Sequence, residues 1–253
     1  NNRKYPLADY SLTPTIAIVD PAFVLTVPAS VTADTGMDVL THAVEAYTST
    51  LANDYTDGLA LQAIKLVFEN LESSVKNADF ESREKMHNAS TMAGMAFANA
   101  FLGMSHSMAH KIGGFFHTVH GRTNAILLPY VIRYNGTRPA KAATWPKYNY
   151  YKADVKFQDI AKMLGLPAST PEEAVDALAK AVYDLGVRVG IDMSIKGQGV
   201  DEKEYMDTVE EIAYLAYEDQ CSPANPRLPM VADMVEILQD AYYGYKERPG
   251  RIK

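Results

Sequence analysis

Gly103-Met104-Ser105-His106-Ser107-Met108-Ala109-His110-Lys111-Ile112-Gly113-Gly114-Phe115-Phe116-His117-Thr118-Val119-His120-Gly121 is the stretch from which the rest of the chain is read. It packs four of the six histidines into fifteen residues of an otherwise ordinary composition. His106 and His110 are four positions apart, which stacks both side chains on one face of a helix. Asp38 and His42 repeat that spacing upstream. Imidazoles joined by one carboxylate suit Zn²⁺ or Fe²⁺, whereas Mg²⁺ and Ca²⁺ prefer all-oxygen shells. The cluster therefore reads as one half of a metal site, with Asp38 and His42 as the other half. At roughly 1.5 Å per residue, His120 lies too far from His106 to share an ion along a straight helix. The pair Gly113-Gly114 is the expected break that turns His120 back.

An isolated Asp-x3-His is most often a surface or capping pair, and it is the company of His106, His110 and His120 that argues for ligands. His117 reads as an exposed bystander and His87 as a helix-surface histidine. Phe97 on an apolar helix face is ordinarily core, and Cys221 ordinarily a small buried hydrophobe.

The 253 residues suffice for a sizeable core, and 47% hydrophobic with 22% charged residues are globular values. One cysteine excludes an internal disulfide framework and all-thiolate metal sites. A net charge of -7 argues against a nucleic-acid partner, which needs clustered Lys and Arg. No apolar run approaches the roughly 18 residues of a membrane span, and the start lacks a signal-peptide layout, so no membrane partner and a cytoplasmic location are expected. The chain opens on Asn1 rather than Met, as a fragment or processed product would.

Residues 1–30 contain two β-like runs, Tyr5 to Tyr10 and Thr15 to Val19, among Pro6, Pro14, Pro21 and Pro28. Beyond them the periodicity predicts helices: from an Asp34 or Thr35 cap to about Thr50, then 55–70, 81–102, 157–164, 170–189, 201–216 and 230–243. Thr170-Pro171-Glu172-Glu173 opens one of them with an N-cap followed by proline. The small residues of 89–100 predict a central, buried helix. Asn135 to about Lys152, with Pro139, Trp145 and Pro146, reads as a loop. The expectation is a mainly α fold with a short β remnant at the N-terminus.

Three longer segments carry a family resemblance: Thr35-Gly36-Met37-Asp38-Val39-Leu40-Thr41-His42-Ala43-Val44-Glu45-Ala46-Tyr47, then Ala93 through Lys111, then His120-Gly121-Arg122-Thr123-Asn124-Ala125-Ile126-Leu127-Leu128-Pro129. Their order and spacing resemble the iron-containing (group III) alcohol dehydrogenases along nearly the whole chain. Lys4 to Pro14, Arg83 to Asn88 and Asp219 to Arg227 resemble in particular the alcohol dehydrogenase half of the bifunctional aldehyde-alcohol dehydrogenases. The resemblance implies the helical metal-binding domain of the dehydroquinate synthase-like fold over residues 31–253, with 1–30 as the tail of a missing dinucleotide-binding domain. It implies Asp38, His42, His106 and His120 as ligands of Fe²⁺, or of Zn²⁺. His110 would lie near the nicotinamide and the substrate and relay the alcohol proton, while Phe97 and Cys221 would line the substrate pocket.

By the same resemblance the parent protein interconverts short-chain aldehydes such as acetaldehyde and primary alcohols with NAD(H). It would assemble as a homo-oligomer or filament. Two departures stand out. Val119 replaces the proline many relatives carry, which is expected to loosen the turn before His120. The phosphate-binding glycine loop is missing, and Gly197-Gln198-Gly199 reads as an ordinary turn. The fragment alone is expected to be inactive. Two rivals rank lower. One is a helical metal-dependent hydrolase, for which only Lys111 and Arg122 are basic near the cluster; the other is a non-catalytic assembly role.

Overall fold

A computed structural model describes residues 4, 6–139 and 151–244. Its described residues form nine α-helices: α1 Ala29–Thr48, α2 Asp54–Lys76, α3 Phe80–Ala100, α4 Met104–Phe116, α5 His120–Gly136, α6 Ala153–Met163, α7 Pro171–Arg188, α8 Glu202–Tyr217 and α9 Val231–Tyr243. None of the described residues is a strand, and no described helix is long and apolar enough to cross a membrane. The run from Thr15 to Val19 lacks the expected strand because it lacks a ladder partner, and its Ile16 and Ile18 are exposed. Trp145 and Pro146 of the expected loop lie outside the described residues; its first two residues, Asn135 and Gly136, instead complete α5.

Helix α5 divides the interior. Its Ala125, Leu128 and Ile132 join a core built by α1, α2, α3, α6 and α7. Its Ile126, Leu127 and Val131 join a second core with α4, α8 and α9. Both triads recur at helical spacing, so α5 is apolar on opposite faces and is buried in consequence. Helix α1 is similarly enclosed, with buried residues from Thr32 to Thr48.

Helix ends follow local chemistry where the sequence supplies it. Asn53 and Thr56 make a reciprocal capping box for α2, and Thr170 accepts from the Glu173 N–H ahead of Pro171 in α7. One boundary and one burial pattern differ from expectation. Helix α1 begins at Ala29, so Asp34 lies inside it, where Arg122 of α5 takes both carboxylate oxygens at 2.8 and 2.9 Å. Helix α3 is not wholly buried: Ala89, Ala93, Ala96 and Ala100 form a buried stripe, while Ser90, Met95, Ala98 and Asn99 face outward. The alanine stripe lets α3 approach its neighbours closely, and the polar residues between its members keep the opposite face in water.

Candidate metal centre

Three helices converge on one point. Asp38 and His42 project from successive turns of α1, His106 and His110 from α4, and His120 is the first residue of α5. The connection between α4 and α5 makes the convergence possible, and it is not made by the double glycine. Gly113 and Gly114 are ordinary helical residues of α4. The helix stops at His117, which takes the left-handed conformation (φ 55°, ψ 28°) and donates its N–H to the Gly113 carbonyl. His117 is exposed, as expected, and its side chain stays outside the cluster; its backbone is the C-cap of α4, in a conformation glycine fills most readily. Val119 has φ -69°, the value proline would fix, so the turn before His120 keeps its course with valine.

Gly121 sets the distance between α1 and α5. A methyl group there would lie 2.2 Å from the Asp34 carbonyl oxygen and 3.1 Å from the Asp38 Cβ. Only glycine admits this crossing, which brings His120 Nε2 to 3.9 Å from Asp38 Oδ1. His106 Nε2 lies 3.7 Å from the same oxygen, and His42 Nε2 lies 3.9 Å from Asp38 Oδ2. The His42 and His106 rings stack at 4.5 Å, and those of His106 and His120 are 5.4 Å apart. Ligand atoms of Asp38, His42 and His106 lie within 4.8 Å of one another.

His106 is 1% exposed, against 18% for Asp38, 19% for His42 and 28% for His120. The centre is thus closed at its floor and open on the α1–α5 side. At that floor His106 Nε2 is buried with no hydrogen-bond partner. A buried polar nitrogen in that state calls for an occupant. Burial, followed by the neighbouring His42, holds His106 well below its ordinary value. Burial likewise lowers His42, against the opposing Asp38 carboxylate, and lowers His120 to about 4. For Asp38, burial acts upward, but His42, His106, His120 and the Asn124 hydrogen bond together outweigh it and lower the carboxyl. Neutral imidazoles and an ionised carboxylate are the protonation states a metal requires, so the donor set fits Fe²⁺ or Zn²⁺.

Three neighbours were not singled out from the sequence. Glu45, also on α1, faces His106 Nδ1 at 2.6 Å and accepts the N–H groups of Gly103 (3.0 Å) and Ser105 (2.6 Å). Burial raises its carboxyl to about 7, opposed by those backbone donors. Asn124 donates to Asp38 Oδ1 at 2.8 Å and touches His120 Nε2 at 3.2 Å. Asp219 lies beneath His110, its Oδ2 3.3 Å from Nδ1 and 2.7 Å from Lys111 Nζ. The available signal was helical spacing: Glu45 follows His42 by three residues and Asn124 follows His120 by four, each on its partner's face.

The remaining candidates border this cluster. His110 stacks on His120 at 5.3 Å and edges His106 at 6.1 Å. Phe97 stacks on His42 at 4.6 Å. Cys221 is buried beside Asp219, which accepts its backbone N–H, and burial pushes its thiol far up. Gly197-Gln198-Gly199 forms a tight turn, with Gly199 in the left-handed region and Gln198 accepting from Arg122. Leu102 and Gly103 link α3 to α4 after Phe101, whose φ of 64° and ψ of -171° belong to a region glycine normally occupies. Such strain costs on the order of 1–3 kcal/mol. The Ser49 hydroxyl bond to the Ala100 carbonyl and the Glu45 bond to Gly103 hold the segment on either side of it.

Residues 32–242 match the model of the Fe-containing alcohol dehydrogenase family, C-terminal part. The aldehyde-alcohol dehydrogenase of Streptococcus pneumoniae serotype 2 (strain D39) is 81% identical over 253 residues, all of this chain but 29% of that protein. The iron-containing alcohol dehydrogenase of Thermococcus thioreducens superimposes with a TM-score of 0.82 at 34% identity, over 93% of this chain and 57% of that one. The sulfoacetaldehyde reductase of Bifidobacterium kashiwanohense, solved with NAD⁺, does so with a TM-score of 0.73 at 29% identity, over 90% and 54%. The chain thus spans less than a third of the curated relative and little more than half of the solved ones. On both sequence and fold, it belongs to the iron-containing alcohol dehydrogenase family.

Proposed function

We propose that this chain supplies the metal- and substrate-binding half of an alcohol dehydrogenase that interconverts short-chain aldehydes, such as acetaldehyde, and primary alcohols with NADH/NAD. The observation that carries this reading is the convergence of Asp38, His42, His106 and His120 from three helices around the partnerless, buried His106 Nε2. These four residues would hold Fe²⁺ or, by the same donor chemistry, Zn²⁺. The bound ion supplies Lewis-acid polarisation of the substrate oxygen, easing loss of the alcohol proton.

His110 would take that proton. Its ring lies against His120, and Asp219 accepts at Nδ1, which leaves Nε2 as the nitrogen that exchanges a proton with substrate or water. Lys111 neutralises Asp219 from the far side. Phe97, stacked on His42, shields one wall from water, and Cys221 offers a small apolar surface beside His110. The dinucleotide would be held mostly by a part of the protein outside these 253 residues, with residues 1–30 as the tail of that part and 31–253 as the helical domain. The NAD⁺-bound relative supports this nicotinamide assignment. A phosphate- or acyl-hydrolysing reading is disfavoured because Lys111 and Arg122 are both engaged by carboxylates.

Metal analysis after iron or zinc loading tests the proposal. About one ion per chain is expected, lost in His106→Ala and Asp38→Ala, and residues 1–253 alone should show no NADH-dependent reduction of acetaldehyde. A folded protein that takes up no metal, or retains it in both variants, would overturn the site assignment. A substantial reductase rate from this chain alone would overturn the division of labour.

A further inference from the structure

Helix α4 has no capping side chain of its own. Its first N–H groups are satisfied from other parts of the fold: Gly103 and Ser105 by the two oxygens of Glu45, and Met104 by Asn225 Oδ1. Glu45 is 3% exposed, and its carboxylate sits at the N-terminus of α4, where the helix dipole favours an anion. Its third bond is to the side chain of His106, 2.6 Å from Nδ1. A methyl at Gly103 would come within 3.0 Å of Glu45 Oε1 and 2.8 Å of Asn225 Oδ1, so the approach of this carboxylate to the helix end depends on glycine. The same face of α1 thus carries Asp38, His42 and, one turn on, a carboxylate aimed at the back of the histidine contributed by α4.

We infer that Glu45 is the positioning residue of the metal centre: it holds the His106 proton on Nδ1 and thereby turns an unprotonated Nε2 into the space shared with Asp38, His42 and His120. The reasoning is a matter of donors and acceptors. Both oxygens of Glu45 already accept backbone N–H groups, so the short contact at Nδ1 is best completed by a proton carried on that nitrogen. A neutral imidazole protonated at Nδ1 has its lone pair at Nε2, the nitrogen left partnerless at the floor of the cluster. Glu45 touches neither substrate nor metal; it acts through His106. Loss of such an outer partner typically weakens metal binding by about 10–100-fold.

This inference rests on the metal-site reading above, and its test separates the two. Zn²⁺ affinity is measured by chelator competition on the 253-residue chain and on Glu45→Ala, Glu45→Gln and His106→Ala, with circular dichroism to verify folding. The His106 tautomer is read by ¹⁵N NMR of the imidazole nitrogens in the metal-free chain. Expected are an Nδ1–H tautomer in the parent chain, a roughly 10–100-fold weaker Zn²⁺ affinity in Glu45→Ala, and an intermediate loss in Glu45→Gln, whose carbonyl still accepts from His106. Unchanged affinity in a folded Glu45→Ala, with His106→Ala losing the ion, would overturn the role of Glu45 alone. Full zinc retention by His106→Ala would overturn the metal-site reading and this inference with it. Should Glu45→Ala fail to fold, the tautomer decides: an Nε2–H histidine in the metal-free parent chain would refute the proposal.

Discussion

Gly121→Ala adds one methyl group where α1 and α5 touch. In the native crossing that carbon would sit 2.2 Å from the Asp34 carbonyl oxygen and 2.9 Å from its carbonyl carbon. Both are backbone atoms of a buried helix, so no rotamer change relieves the clash. Restoring ordinary contact means opening the crossing by about 1 Å, given that carbon contacts are optimal near 3.5–4.0 Å. Overpacking of this kind costs about 1–3 kcal/mol, a fall in Tm of roughly 2–4 °C per kcal/mol for a chain of this size. The opening falls between Asp38 and His120, whose ligand atoms are 3.9 Å apart. Metal–ligand distances tolerate only about ±0.2 Å, so zinc or iron affinity should fall together with stability. Gly58→Ala and Gly94→Ala are the controls. Both lie inside helices with open space at the added carbon, and alanine there should stabilise by up to about 1 kcal/mol. Thermal unfolding and chelator competition on the three variants read both quantities. A Gly121→Ala protein with unchanged Tm and unchanged metal affinity would refute the claim that this glycine spaces the centre.

Two further expectations follow from conformation and charge. His117→Gly relieves a left-handed non-glycine residue at the end of α4 and should raise stability by about 1 kcal/mol in urea unfolding without altering metal content. Asp219→Asn removes a buried carboxylate that, despite the upward push of burial, is held well below the usual range by His110 and Lys111. Because the folded value is the depressed one, its stabilisation is present above the unfolded value of about 3.9 and is lost as pH falls below it. The variant should therefore be less stable than the parent by about 3–5 kcal/mol at pH 7. That gap should begin to narrow below about pH 4 and go on narrowing as pH falls through the depressed folded value; a gap that stays constant with pH would show that the pairing with Lys111 and His110 does not depend on charge.

The helices were legible because their period is local. Apolar recurrence and the caps at Asn53 and Thr170 lie within a few residues of what they specify. The same locality made Asp38 with His42, and His106 with His110, recognisable as pairs on one face. It also misplaced two details. Glycine content suggested a break at Gly113-Gly114, but a helix packed at Ile112 and Phe116 against its neighbours holds through both glycines and ends at His117. Asp34 looked like a cap, yet the chain enters α1 five residues earlier and Arg122, 88 positions away, claims the carboxylate.

By itself the sequence determined which residues could bind a metal and that Asp38 with His42, and His106 with His110, pair on one face, since spacing along a helix fixes which side chains share a face; the helix that begins at His120 was not among those predicted. Tertiary structure alone decided that these faces meet. The Gly121 crossing draws Asp38 to His120, the left-handed residue His117 ends α4 just before α5 begins at His120, and Glu45 reaches across to the back of His106. Each of these depends on contacts between residues far apart in the chain, where the packing of one helix surface against another, rather than any local period, sets the distance.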